Sequence, residues 1–203
     1  MTCTRPMIYL VDDDESVLKA LGRLVSAAGY EFQSFASAAE FLDRHDPDRH
    51  GCVVLDLRME GTDGLAVQQS LSTGPIDRPI VFLTGNGDVP SSVRAMKDGA
   101  VDFLVKPVEA PALLSAIGIA LERDRSARRD GERRKAVDGN LARLTPREHE
   151  VLACIVAGQL NKQIAAELGV AEKTVKVHRA RVMRKMEVHT VADLVRTVAR
   201  HST

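Results

Sequence analysis

The sequence predicts an α/β doubly wound, five-stranded parallel sheet followed by an all-α helix-turn-helix domain. Over residues 1–122, short apolar runs alternate with segments of helical period, as in a parallel sheet covered on both faces. From Leu144 onward every apolar pattern has helical spacing, and a tight glycine turn joins two of the segments. The centre of the first part is Cys52-Val53-Val54-Leu55, which runs straight into Asp56. A short continuous apolar run suits a strand buried on both faces, and Asp56 then sits at the sheet edge where open α/β folds bind ligands.

Taken in order, Ile8 to Val11 forms the first strand. The helix after it carries Val17, Leu18, Leu21, Leu24, Val25 and Ala28 on one face and ends at Gly29. Tyr30 to Phe35 alternates as the second strand, and Ser37-Ala38-Ala39-Glu40 reads as a capping box for helix two. Cys52 to Asp56 is the third strand; Gly61 and Gly64 make the turn after it, and Leu65 to Leu71 is helix three. Ile80 to Leu83 is the fourth strand, ending at Thr84, and Val89 to Asp98 is helix four, stopped by Gly99. Asp102 to Val105 is the fifth strand, and Pro111 starts a helix with Leu113, Leu114, Ile117, Ala120 and Leu121 inside. Right-handed crossovers then restrict the strand order to 2-1-3-4-5.

Residues 123–143 change character: seven basic residues from Arg123 to Lys135 crowd a segment with little apolar content. It reads as a frayed helix extension and a solvated linker, with DNA binding as the alternative for the basic run. The second domain, 144–203, opens on another capping box, Thr145-Pro146-Arg147-Glu148, with Val151, Leu152, Ile155 and Val156 inside. Asn161 starts a short helix facing inward through Ile164, Ala165 and Leu168, and Gly169 turns the chain. Glu172 to Met186 is a longer helix with Val175, Val182 and Met186 inside. Its other face carries Lys173, Lys176, His178, Arg179, Arg181, Arg184 and Lys185. Thr190-Val191-Ala192-Asp193 opens a last helix with Leu194, Val195 and Val198. Two helices around a tight turn, the second basic, fit a helix-turn-helix.

The formal net charge of zero hides an asymmetry. Residues 1–122 hold 10 Lys and Arg against 18 Asp and Glu, whereas 144–203 hold 10 against 6. An acidic first part and a basic last part imply two jobs, the second involving nucleic acid. No apolar run is long enough to span a membrane and the N-terminus lacks an apolar signal segment, so the chain is expected in the cytoplasm. Cys3, Cys52 and Cys154 are too few and too scattered for a metal site or disulfide framework; the latter two read as buried thiols.

Three features converge on one strand edge: Asp12-Asp13-Asp14-Glu15 after the first strand, Asp56 after the third, and Lys106-Pro107 after the fifth. Carboxylates about 5 Å apart at an effective dielectric near 20 repel by roughly 3 kcal/mol per pair, so the cluster needs a cation or a raised pKa. Asp and backbone oxygens with waters describe a Mg²⁺ site, which with Lys106 would neutralise an incoming phosphate. In that setting Asp56 reads as a nucleophile that accepts a phosphoryl group, with Thr84 donating to a phosphate oxygen.

These residues give the chain its resemblance. Residues 1–122 resemble the receiver domain of two-component response regulators through Asp12, Asp13, Asp56, Thr84, Phe103 and Lys106-Pro107. Leu83 to Pro90 and Ala95 to Leu104 look like the FixJ subgroup of the FixJ/NarL type. Residues 144–203 resemble the LuxR-type helix-turn-helix through Leu144 to Glu148, Asn161 to Ala165 and Thr174 to His178. The resemblance implies a transcriptional regulator rather than a metabolic enzyme. On that resemblance a partner histidine kinase would phosphorylate Asp56, the receiver would dimerise, and the second domain would bind promoter DNA. It implies Mg²⁺ bound directly by Asp13, Asp56 and the backbone carbonyl of Arg58, with Asp12 acting through water. Thr84 and Lys106 would contact the phosphoryl group, the Lys106–Pro107 bond would be cis, and Thr84 with Phe103 would form the switch. Helix four and strand five, with helix five beside them, would form the dimer face. Lys176 and Val177 are expected to reach base edges, with Arg179, Arg184 and Lys162 on phosphates and Lys173 and Thr174 in the same interface. Two departures are Glu60, where the subgroup often has Pro, and Ala171, where Ser or Thr would cap the recognition helix. Ala180 is too short to reach a base. Glu15 reads as a rim residue, and so does Asp14, which could also act through a water.

Two other readings fit parts of the pattern. A haloacid-dehalogenase-type phosphatase also uses Asp, Thr, Lys and Mg²⁺, but places its nucleophile after the first strand, leaving Asp56 unexplained. A receiver fold used only for dimerisation would not need the intact acidic pocket, Thr84 and Lys106.

Overall fold

The computed structural model describes residues 5–59, 62–72, 78–85 and 89–201. The chain divides into two compact units, Met1–Ala127 and Arg128–Thr203. The Gly61 turn, Glu60, Cys3 and the Asn86-Gly87-Asp88 part of the FixJ-like stretch lie outside the described residues.

In the first unit β1 (Met7–Val11), β2 (Glu31–Phe35), β3 (Gly51–Asp56), β6 (Ile80–Thr84) and β7 (Asp102–Val105) form a parallel sheet in the order β2-β1-β3-β6-β7. This is the predicted order, 2-1-3-4-5. The three interior strands β1, β3 and β6 are buried along their whole length, as their unbroken apolar runs require. One face packs Ile8, Leu10, Val54 and Leu83 against α1 (Glu15–Ala27) and α5 (Ala110–Ala142) through Leu21, Val25, Leu113 and Ile117. The other packs Tyr9, Val53, Leu55 and Phe82 against α2 (Ala38–Arg44), α3 (Gly64–Ser72) and α4 (Val89–Lys97) through Phe41, Val67 and Ala95.

Several local expectations change. The second strand is an edge strand with only Phe35 buried, so its alternation does not mark a core face. Helix two has half a capping box: Ser37 Oγ accepts from the Glu40 amide, but the Glu40 carboxylate turns outward to Arg44 at 2.6 Å. After Asp56 the chain forms a small antiparallel ladder, β4 (Arg58–Met59) with β5 (Thr62–Asp63), which no apolar pattern announced. Gly64 begins α3 rather than ending a turn, and a Cβ there would lie 2.8 Å from the Asp56 carbonyl oxygen. That glycine lets α3 start against the backbone of the functional strand.

The segment read as a frayed helix extension and linker is helical as far as Ala142: α5 is one helix of 33 residues. Its polar middle, with Gly131 and Gly139 there, hid this full extent, since each glycine costs about 1 kcal/mol against alanine. Tertiary contacts outweigh that cost. Asp124 is buried beside the His50 ring and accepts from the Gly51 amide at 3.0 Å, while Val137 and Leu141 pack on the core of the second unit.

The second unit also holds α6 (Pro146–Val156), α7 (Asn161–Leu168), α8 (Glu172–Lys185) and α9 (Val191–His201) around Val151, Ile155, Ile164, Val175, Val182 and Leu194. The α6 capping box is complete: the Thr145 hydroxyl accepts from the Glu148 amide, and the Glu148 carboxylate accepts from the Thr145 amide at 2.9 Å. Gly169, at φ 63°, takes the left-handed conformation that the α7–α8 turn requires. Ala171 caps α8 with no side-chain hydrogen bond.

Candidate functional sites: an acidic pocket and a basic helix

The ends of β1, β3, β6 and β7 bring the predicted pocket residues to one edge. Asp12, Asp13 and Asp56 each place a carboxylate oxygen within 4.8 Å of the others. Asp12 and Asp56 are buried and Asp13 is exposed, so the cluster opens to solvent on one side. Lys106 reaches in from beyond β7, with Nζ 2.6 Å from Asp12 Oδ2 and 3.2 Å from Asp56 Oδ1. Its own amide donates to the Thr84 carbonyl at 2.7 Å, which ties the end of β7 to that of β6. The Lys106–Pro107 bond is cis. Thr84 is buried, and the alternation along β6 and β7 puts Thr84 and Phe103 on the same sheet face as Phe82. The half-buried Phe103 ring lies 6.4 Å from the Phe82 ring. Arg58 stands two residues beyond Asp56 in β4 with its side chain exposed.

Burial pushes the Asp56 carboxyl above its ordinary range; the Lys106 charge opposes this, and Asp12 adds to it. The Lys106 ammonium is pulled down by burial, but its bond to Asp12 and the charges of Asp12 and Asp56 outweigh that and leave it raised. The ammonium thus pairs with two of the three carboxylates. An all-oxygen cluster of three carboxylates fits a hard divalent cation such as Mg²⁺. Asp14 has a different job from its neighbours. It is the N-cap of α1, accepting from the Ser16 amide at 2.8 Å and the Ser16 hydroxyl at 2.6 Å. These bonds hold its carboxyl below the usual range. Its amide in turn donates to Asp12 Oδ1 at 3.0 Å, so the cap also orients the pocket.

In the second unit, α7, the turn and α8 form the helix-turn-helix. Lys173, Thr174, Lys176 and Val177 are exposed on the first turns of α8, Arg184 is exposed further along, and Lys162 is exposed at the start of α7. Arg179 is half-buried. Lys176 rests 3.6 Å from Glu172 in an exposed pair that water screens. Two members of the predicted basic face leave it. Lys185 turns inward, donating to Glu148 Oε2 at 2.6 Å and to the Arg143 carbonyl at 2.8 Å. His178 is half-buried, and its Nδ1 is shut from solvent with no hydrogen-bond partner.

Sequence reasoning missed several supporting residues. Gln68 links α3 to α4 by donating to the Ala95 and Asp98 carbonyls at 3.1 and 3.0 Å. Arg78 is wholly buried, donates to the carbonyls of Asp46, Pro47 and Arg49, and stacks over Tyr9 at 4.8 Å. Asp124 anchors α5. The only sequence signal was a polar residue on an otherwise inward-facing position, and only Asp124 continues a helix face that can be read.

A doubly wound sheet whose edge gathers three carboxylates and a lysine, joined to a helix-turn-helix with a basic second helix, defines a signal receiver coupled to a DNA-binding module. Comparison with known proteins agrees. Residues 8–118 match the response regulator receiver domain, and residues 142–198 match the bacterial regulatory proteins of the luxR family. Nodulation protein W of Bradyrhizobium diazoefficiens is 45% identical over 194 residues, covering 95% of this chain and 85% of that one. Transcriptional regulatory protein FixJ of Azorhizobium caulinodans is 40% identical, covering 93% and 90%. The solved structure of response regulator StyR superimposes with a TM-score of 0.86 at 44% identity, covering 97% of this chain and all of that one. The chain belongs to the DNA-binding response regulators that join a receiver domain to a LuxR-type helix-turn-helix, the group that includes the FixJ regulators. Among the described residues no helix is long and apolar enough to cross a membrane.

Proposed function

We propose that this chain is a phosphorylation-switched transcriptional regulator in which Asp56 accepts a phosphoryl group from a partner histidine kinase. The observation that carries the reading is the convergence of Asp12, Asp13, Asp56 and Lys106 at one strand edge. An Asp56 oxygen attacks the phosphorus of the kinase phosphohistidine; the O–P bond forms as the P–N bond breaks, and the electron pair returns to the imidazole. Asp13, Asp56 and the Arg58 carbonyl would hold Mg²⁺ directly and Asp12 through water; the ion supplies charge neutralisation on the transferred group. Lys106 exchanges its bond to Asp56 for one to a phosphoryl oxygen, keeping a positive charge where negative charge accumulates. Thr84 donates its hydroxyl to a second phosphoryl oxygen.

The switch would follow from the same residues. Movement of Thr84 toward the phosphoryl group leaves space on the sheet face that it shares with Phe103. The surface beside them already exposes Val93 and Met96 on α4 and Val105 on β7, which supports this face as the dimer contact. The exposed first turns of α8 support Lys176 and Val177 as base-reading residues, with Lys173 and Thr174 beside them and Lys162, Arg179 and Arg184 on phosphates.

Intact mass after incubation with acetyl phosphate and Mg²⁺ tests the acceptor. One phosphoryl group should add, removable by hydroxylamine, and Asp56→Asn should abolish the addition. Uptake by the variant at wild-type rate and stoichiometry would exclude Asp56.

A further inference from the structure

The second unit contains a groove that neither the acidic pocket nor the recognition helix uses. It lies between the Arg128–Ala142 stretch of α5 and the C-terminal end of α9, and has a volume of about 670 Å³. Its α5 wall is formed by Asp130, Arg133, Arg134 and Val137, which share one helix face at i, i+3, i+4 and i+7. Its α9 wall is formed by Arg200 and His201. Three guanidinium groups therefore border one concavity from two elements.

Their charge is only partly answered. Arg133 lies 3.3 Å from Asp130, an exposed pair that solvent screens. His201 Nε2 lies 3.0 Å from Asp138, which fixes the ring, while His201 Nδ1 is shut from solvent without a hydrogen-bond partner. The side chains of Arg134 and Arg200 make no ion pair or hydrogen bond with the described residues. The volume falls within the ~300–1,000 Å³ of small-molecule clefts, several times what a single phosphate needs. Guanidinium forks match phosphate oxygens bidentately, and several forks on one groove favour a ligand with more than one phosphate.

We propose that this groove binds a polyphosphate group, with Arg134 and Arg200 as its principal contacts. The same chemistry has two sources, a free polyphosphate compound and consecutive phosphates of a DNA strand. Either role goes beyond base reading by α8.

The test uses the full-length protein with inorganic tripolyphosphate as probe in calorimetric titration, and separately with random-sequence duplex DNA at several salt concentrations. Saturable one-to-one tripolyphosphate binding is expected, weakened at least tenfold in R134Q/R200Q and largely kept in R134K/R200K. If the natural source is DNA, the glutamine variant also lowers the slope of log affinity against log salt by about 1.8, two phosphate contacts' worth. An unchanged slope with lost tripolyphosphate binding assigns the groove to a free ligand. Arg200 and His201 also sit in the last turn of α9, where cations offset the helix dipole. If R134Q/R200Q lowers only the melting temperature, leaving both titrations at wild-type values, the proposal is overturned. The same holds if the wild type shows no saturable binding and no slope difference from the variant. Loss of phosphorylation in Asp56→Asn bears on none of these outcomes, so the two readings stand or fall separately.

Discussion

Lys106 places one cation between two buried carboxylates, and that imbalance makes the receiver pocket electrostatically unsettled without metal. Asp56 has its pKa raised in the folded chain, first by burial and then by Asp12. Its contribution to stability is therefore fully present below about 3.8, the unfolded value, and is lost as pH rises through the raised folded value. At neutral pH the ionised Asp56 is a cost to the metal-free fold. Asp56→Asn is expected to raise the melting temperature of the metal-free protein at pH 7 by a few degrees, and the gain should shrink with added Mg²⁺ and toward pH 4. Calorimetry across that range checks it; equal stabilisation at pH 4 and pH 7 would show that charge is not the cause. On α8, Lys176→Ala should weaken binding to the best DNA site by roughly 1–3 kcal/mol while costing less on random DNA. Equal losses on both in a competition assay would make Lys176 a backbone contact.

At the scale of elements, Glu148 holds α6 and α8 together. Its carboxylate accepts from the Thr145 amide and from Lys185, and these bonds, with Lys185 first, hold its pKa down at about 2 against 4.5 unfolded. A lowered carboxylate contributes stability that is present above about 4.5 and lost as pH falls toward about 2. The second domain should accordingly lose stability in that window, and Glu148→Ala should cost about 1–3 kcal/mol at pH 7 through the lost cap and the stranded lysine. Urea melts at pH 7 and pH 3 test this, since the variant's penalty must shrink at the lower pH. The capping box was legible because it is local: Thr, Pro and Glu at fixed offsets state their own geometry. The Lys185 partnership was not, because helical period assigns a residue to a face but not to a partner 37 positions away. The same limit explains the rest. The central strands and Asp56, Asp12 and Lys106 were readable because buried runs that end in charge have one economical arrangement. The capping role of Asp14 was not legible because it depends on where α1 starts. A helix extension could be read over residues 123–143 but not how far it runs, because they have no continuous apolar face and what orders them is contact with partners distant in sequence.

For the whole molecule, the proposed function requires that one phosphoryl group change DNA affinity. A single helix-turn-helix buries little surface and binds weakly, whereas two tethered units make the second binding event intramolecular and raise affinity by roughly 10²–10⁴-fold. A phosphate-driven dimer therefore needs no change within the DNA-binding domain itself. Val93, Met96 and Val105 are all close to half-exposed, at 47%, 46% and 54%, on α4 and at the end of β7. Covering such side chains repays association only if the patch is shaped to match its copy, which is what movement of Thr84 and Phe103 would accomplish. The competing arrangement is a constitutive dimer in which phosphate acts through α5. Light scattering at micromolar concentration separates them: monomer without phosphodonor, dimer with acetyl phosphate and Mg²⁺, and no shift in Asp56→Asn or Thr84→Ala. Met96→Glu should remain monomeric while still taking up one phosphoryl group, because it charges the contact and leaves the pocket intact. Protein that is already fully dimeric before phosphorylation, or a Met96→Glu variant that dimerises like wild type, would rule out α4 and β7 as the switched interface.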